Sequence, residues 1–268
     1  MFFLFAIFLS CNESTDTIIV EDIIKSNYLC DNFTITLDEY KGDVHHVFRV
    51  KPVVVGNIAF NRNRFWKNIE EFWKPYNISF ILEPTSKVDK LDPNSTIKEC
   101  LDGYYENGYL VALILPTGIK LSAPLNVTGQ ANGIPSLSNP AKGKPVFFIL
   151  EEAMYTNIVN HEIGHTLGLN HTFQYNDVRN KGLNCDSGDG VPDTVTPIEG
   201  GGVGAITCKY YAPEDWIKDY TEDEIDNLVT NVMSYSHPNC ITSVTEGQLQ
   251  KIRAQIAINS RLQDAIIK

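Results

Sequence analysis

The chain has 268 residues, 43% of them hydrophobic and 21% charged, with a formal net charge of -11. That length carries one substantial domain whose core needs no metal to fold, and the composition excludes a disordered or collagen-like chain. The acidic balance has no lysine or arginine cluster set against it, which argues against nucleic acid as a partner and against an anionic membrane surface.

The first ten residues, MFFLFAIFLS, are almost wholly apolar and give way abruptly to the polar run NESTDT. They are too few to span a bilayer and have the character of an export signal, although the usual basic start is missing. A merely hydrophobic N-terminus is the other reading. Cys11 follows Leu9 and Ser10 directly and has a flexible polar tether behind it, as in a bacterial lipoprotein signal whose cysteine takes the lipid, although Phe8 fits that pattern poorly. The expectation is an export signal at 1–10, a tether or leader at 11–42, and an exported product that is either a cell-envelope lipoprotein or secreted.

From Val44 the run VHHVFRVKPVVVG is rich in β-branched residues and predicts a strand, with Pro52 as a candidate kink; His45 and His46 face solvent or a neighbouring strand. Phe65, Ile69, Phe72 and Trp73 recur at helical spacing between Asn61 and Pro75 and predict an amphipathic helix with an aromatic core face. ISFIL at 78–82, YLVALIL at 109–115 and PVFFIL at 145–150 predict further strands of one sheet. A helix follows through MYTNIVNHEIGHTLG and ends at Gly168. Residues 174–215 are rich in glycine and turn formers and predict irregular structure held by cross-links or ions. Thr221 with Glu224 and Thr245 with Gln248 form two candidate capping boxes, the second opening a C-terminal helix with Leu249, Ile252 and Ile256 on one face.

HEIGHTLGLNH, residues 161–171, concentrates the chemistry. Four apart on a helix, His161 and His165 project from one face and can reach one cation. Glu162, beside that face, can take a proton from an attacking water without being a ligand. Gly168 permits a sharp turn at positive φ that brings His171 back as a third ligand. Three protein ligands leave one coordination position open, which separates catalytic from structural zinc. A bare HExxH arises by chance in long chains, but here three of six histidines fall at the required places.

The extended motif resembles that of the metzincin zinc metalloproteases, and the details resemble the pappalysin family, in its cytophagalysin-like form: HEIGHTLGLNHTF (161–173), GDGVPDT (188–194), NVMSYS (231–236), Cys240 and TEGQL (245–249) occur in the family's order from about Val44 onward. The resemblance implies an α+β fold across 43–268: an N-terminal lobe, about 43–170, with a twisted mixed β-sheet, a backing helix and the active-site helix, then a mostly irregular C-terminal lobe, about 171–268, ending in a helix. It implies one catalytic zinc, a Met-turn at Met233 beneath the imidazoles, and Tyr235 as a donor to the oxyanion; bare sequence would make these a core Met and a loop Tyr. It also implies a Cys208–Cys240 disulfide and a calcium ion at Asp189 and Thr194, with Asp186 and Asp193 as weaker candidates. On this reading the chain is a monomeric zinc endopeptidase acting on proteins or peptides, touching a membrane only through lipid on Cys11.

Once Cys11 is set aside, five cysteines remain, at positions 30, 100, 185, 208 and 240, so at least one lacks an internal partner. Cys30 with Cys100 is one pairing to test, Cys185 has no evident partner, and Cys30 as a thiolate that blocks the zinc is a second reading. Two rival functions stay open: an inert exported zinc-binding or adhesion module on a protease fold, and a zinc hydrolase acting on something other than peptides.

Overall fold

The structure, a computed structural model, describes residues 44–137, 139–173, 189–191, 193–196, 202–204, 206–212, 217, 218 and 220–268. The export signal, the tether, Cys11, Cys30, Cys185 and Asp186 lie outside the described residues.

Six strands build the principal sheet: β1 (His46–Val55), β2 (Ile78–Leu82), β3 (Ser86–Val88), β4 (Leu110–Leu115), β5 (Gly129–Ala131) and β6 (Val146–Leu150). The order is β2-β1-β4-β6-β5, with β3 continuing beside the second half of β1; all pairs are parallel except β5 with β6. β1 continues unbroken through Pro52, which pairs with Ala112 of β4. Pairing with β2 stops at Val50 and pairing with β3 starts at Val53, so proline's missing N–H falls where β1 changes partner on that side.

Period-two alternation divides the buried strands between two layers. Val50, Val54, Ala112, Ile114, Phe147 and Ile149 face a core shared with α1 (Arg62–Trp73), while Val53, Val55, Val111, Leu113, Phe148 and Leu150 face one shared with α2 (Ile97–Tyr104). Both faces of β4 are covered, which is why all six of its residues are apolar and buried. α1 also blunts the free edge of β2: Trp66 Nε1 donates to the Phe80 carbonyl at 2.7 Å and Glu70 accepts the Phe80 N–H at 2.9 Å. His45, exposed to solvent, also joins this edge through Ser79 Oγ at 2.8 Å.

The helix of the histidine motif, α3 (Ile158–Thr166), packs Val159 and Ile163 into the first core with no exposure. Beyond it, α4 (Glu222–Thr230) and α5 (Glu246–Ile258) open with the two capping boxes anticipated at Thr221 and Thr245, and α6 (Ser260–Asp264) follows. The described parts of 174–215 include a short antiparallel pair, β7 (Gly202–Val203) with β8 (Tyr210–Tyr211), where irregular structure was expected. The whole is an α+β fold with a mixed sheet.

Candidate active site

α3 ends where Gly168 enters the left-handed region at φ +98°, and a Cβ there would lie 2.5 Å from Gln255 Cγ. Glycine is required twice over, for conformation and for space. The turn it makes folds residues 169–171 back beside the helix: Leu169 N–H donates to the Gly164 carbonyl at 2.9 Å, and the Leu169 carbonyl lies 2.7 Å from His165 Nδ1. His171 thereby arrives against the helix face, its Nε2 3.0 Å from both His165 Nε2 and His161 Nε2.

The ligand-like geometry follows from the backbone partners. His161 Nδ1 lies 2.6 Å from the Val232 carbonyl and His165 Nδ1 lies on Leu169, so each Nδ1 carries the proton and each Nε2 turns a lone pair inward. Three nitrogens within 4.8 Å of one another form the one His/Cys/Asp/Glu group able to hold a metal among the described residues. Lone pairs facing one another at this range repel unless a cation lies between them, and a tetrahedral zinc at ~2.0–2.1 Å would set its nitrogens about 3.3 Å apart. The donor set therefore fits zinc. Burial pushes the conjugate acids of His161 and His171 down to about 4 and that of His165 well below its ordinary value, with the neighbouring imidazoles adding to the shift at His165 and His171. The rings are neutral and ready for a metal without first losing a proton.

Met233 is fully buried against the helix, its Sδ 2.6 Å from where a Cβ at Gly164 would lie. Asn231 shapes this turn: its Oδ1 accepts the Met233 N–H at 2.8 Å, its carbonyl accepts Ser234 Oγ at 2.8 Å, and its amide is paired with that of Gln248 on α5. Glu162 is 4% exposed and lies against β5, where the Ala131 N–H bonds it. Burial raises its carboxyl to about 8 in the metal-free site, against the lowering effect of that bond. Tyr235 stands at the rim, 72% exposed, with its ring 4.8 Å from that of His171.

Several contributors were not visible in the sequence. Gly129 on β5 leaves the space that Glu162 fills, since a Cβ there would be 2.8 Å from Oε1. No local pattern marks it, because the contact exists only once β5 pairs with β6. Phe173 was part of the quoted motif but had no role; its ring lies 4.7 Å from that of His171.

The Cys208–Cys240 disulfide is formed. Cys100 is a buried free thiol, which corrects the Cys30–Cys100 pairing: the α2 face that carries it packs into the second core. Asp189 and Thr194 are brought together, Thr194 Oγ donating to Asp189 Oδ1 at 2.6 Å, while Lys251 Nζ donates to the Asp189 carbonyl at 2.8 Å. Asp193 instead caps α5, accepting Thr245 Oγ at 2.7 Å and the Gly247 N–H at 2.8 Å.

Comparison with known proteins agrees with this geometry. The peptidase M43 family model, described as pregnancy-associated plasma protein-A, matches residues 146–257, and the peptidase M10 (matrixin) model matches residues 24–187. No curated protein matches by sequence. Among solved structures, archaemetzincin from Methanopyrus kandleri is 18% identical, with 48% of this chain and 78% of that one covered, at a TM-score of 0.32. Archaemetzincin from Archaeoglobus fulgidus, complexed with malonate, is 16% identical over 46% of this chain and 80% of that one, at 0.30. Metalloproteinase-II from Bacteroides fragilis is 13% identical over 58% and 50%, at 0.31. At these scores the structural likenesses carry no weight, and the assignment rests on the family models. With the matrixin model spanning more than half of the chain and the pappalysin model spanning its motif-bearing part, the chain belongs to the metzincins, the clan of zinc metallopeptidases that holds both families.

Proposed function

We propose that this metallopeptidase is an exported endopeptidase whose zinc is held by His161, His165 and His171 and whose general base is Glu162. The observation that carries the proposal is the convergence of three inward-facing Nε2 atoms, at 3.0 Å separations, beside one buried carboxylate that is not among them. Zinc, when bound, supplies Lewis acidity to the scissile carbonyl and to the attacking water. The remaining work falls to the chain. Glu162 takes the proton from the water and returns it to the leaving amine, and Tyr235 donates its phenolic hydrogen to the oxyanion that forms between these steps. Among the described residues Glu162 Oε2 is buried without a hydrogen-bond partner, which leaves it open to a water, and the charge of a bound zinc would favour its ionised, proton-accepting form. Met233 serves as the apolar floor that holds the imidazoles from below.

Export is supported by the apolar first ten residues and by the disulfide, which persists in oxidising compartments. Among the described residues no helix is long and apolar enough to cross a membrane. Lipid on Cys11 would supply the anchor; replacing Cys11 by Ala should then release the protein from membranes, and a mature protein that keeps residues 1–10 would contradict it.

For calcium, Asp189 and Thr194 offer one carboxylate and one hydroxyl, with the Val191 carbonyl 2.8 Å from the Thr194 hydroxyl. Lys251, whose Nζ donates to the Asp189 carbonyl, also lies near enough to act on the Asp189 carboxylate and would compete with an ion for its charge. A calcium-selective chelator should lower the melting temperature with zinc retained; no response of the wild type to millimolar calcium would remove the site.

Incubation with a diverse peptide pool, with and without a zinc chelator, and sequencing of the products tests the reaction. Chelator-sensitive internal cleavage is expected. Intact peptides with stoichiometric zinc would favour an inert binding module.

A further inference from the structure

Phe173 takes no part in the steps above, yet its ring touches both His171 and Tyr235. Its ring lies face to face on the His171 imidazole, centroids 4.7 Å apart and planes 10° from parallel. The same ring meets Tyr235 edge-on, at 4.3 Å and 60°. Tyr235 stands edge-on to His171 at 4.8 Å and 69°, so the three rings are all in mutual contact. The backbone keeps the two segments in register: the Thr172 N–H donates to the Met233 carbonyl at 3.2 Å, tying residues 171–173 alongside 233–235.

His171 differs from the other two ligands in how its ring is held. His161 and His165 are each fixed through Nδ1 on a backbone carbonyl, at 2.6 and 2.7 Å. Among the described residues no such bond holds Nδ1 of His171, which stands beyond the end of the helix. An imidazole lone pair lies in the plane of its ring, so a ring free to rotate aims it away from the metal. Stacking fixes that plane as a hydrogen bond would, and an imidazole made electron-poor by a bound cation attracts an aromatic face more strongly.

We propose that Phe173 is a positioning residue of this active site: its ring sets the plane of the His171 imidazole and forms the wall that holds the Tyr235 phenol, so one side chain orients both the third ligand and the oxyanion donor. The proposal rests on the roles given above to His171 and Tyr235. Tyr235, 72% exposed, takes lateral support from the Phe173 and His171 rings, so losing one of them frees the phenol to turn into solvent.

The test uses Phe173→Ala, Phe173→Leu and Phe173→Tyr in the full chain, with Tyr235→Phe alone and combined with Phe173→Ala. Zinc affinity is read by competition with a chromogenic chelator, and kcat and KM are read on a peptide that the wild type cleaves. Phe173→Ala should weaken zinc about threefold to tenfold, the range expected for one lost aromatic pair. It should lower kcat with KM little changed, and removal of the Tyr235 hydroxyl should cost much less in that background than in the wild type. Phe173→Tyr should restore both properties and Phe173→Leu should not, because the role needs a ring and not a volume. Strict additivity with Tyr235→Phe together with unchanged zinc affinity would overturn the proposal, as would a Leu variant equal to the wild type. If Tyr235→Phe alone leaves kcat unchanged, the reading of Tyr235 fails and the zinc measurement still decides whether Phe173 orients His171.

Discussion

Gly129→Ala isolates the placing of Glu162, the proposed general base, from everything else in the site. A Cβ at this position would lie 2.8 Å from Glu162 Oε1, 2.9 Å from Cγ and 3.1 Å from Cδ, all far inside ordinary carbon contact. To recover ~3.5 Å, the carboxylate must retreat by about 0.7 Å, and its neighbours on β5 and α3 give it little room. A misplacement on the order of 1 Å at a reacting group costs about a hundredfold in rate, equivalent to about 2.7 kcal/mol. Gly129 is outside the positive-φ region, so alanine fits the strand backbone, and the crowding of one buried side chain should cost about 1–3 kcal/mol of stability, too little to unfold a domain of this size. Zinc should remain bound, since Glu162 is not a ligand. The assay is kcat on a peptide substrate with metal content and melting temperature measured on the same samples. A variant with wild-type kcat would refute the argument that Gly129 makes the space for the base; loss of zinc or of folding would place the damage elsewhere.

Other expected outcomes rest on separate parts of the structure. Gly168→Ala must adopt φ +98° and meet Gln255 at 2.5 Å, which should cost about 2–4 kcal/mol and weaken zinc, read by denaturant unfolding and metal competition. Replacing both Cys208 and Cys240 by Ala opens a loop with a sequence separation of 32 and should cost about 3–4 kcal/mol in the chain-entropy picture, checked by thermal unfolding. The zinc-free protein should lose stability on acidification. His161 and His171 titrate at about 4 when folded against 6.5 when unfolded, and His165 is lowered further, so between those values the unfolded chain binds more protons at the imidazoles; Glu162, raised to about 8, and Asp189, raised to about 6, offset part of this, and acid favours the unfolded chain by the excess. Unfolding free energies flat from pH 6.5 to 4 would contradict the burial of these rings.

The parts of the site legible in the sequence are those written locally. His161, Glu162 and His165 share one helical turn, and Gly168 marks the end of α3 through a requirement of its own backbone. The aromatic face of α1 and the apolar run of β4 are likewise fixed by periodicity and burial over adjacent residues. What escaped is defined by partners distant in the chain. β5 has three residues, Gly129–Ala131, with no apolar run, and is a strand only because β6 pairs with it. α2 is the exception among the missed elements: Ile97, Cys100, Leu101 and Tyr104 recur at helical spacing behind the capping box of Thr96 and Glu99, so its signal is local. Phe173 looked like any aromatic of a motif until the fold stacked it on His171. Met233 and Tyr235 were named by family resemblance and not by spacing, since an isolated Met and a loop Tyr carry no local signal.

The most direct test of the central claim is Glu162→Ala, assayed for peptide hydrolysis on samples whose zinc content is measured in parallel. The account predicts about one zinc per chain, as in the wild type, because the ion is held by His161, His165 and His171, with cleavage reduced to background because the proton acceptor is gone. Cleavage at the wild-type rate by a zinc-loaded Glu162→Ala protein would contradict it.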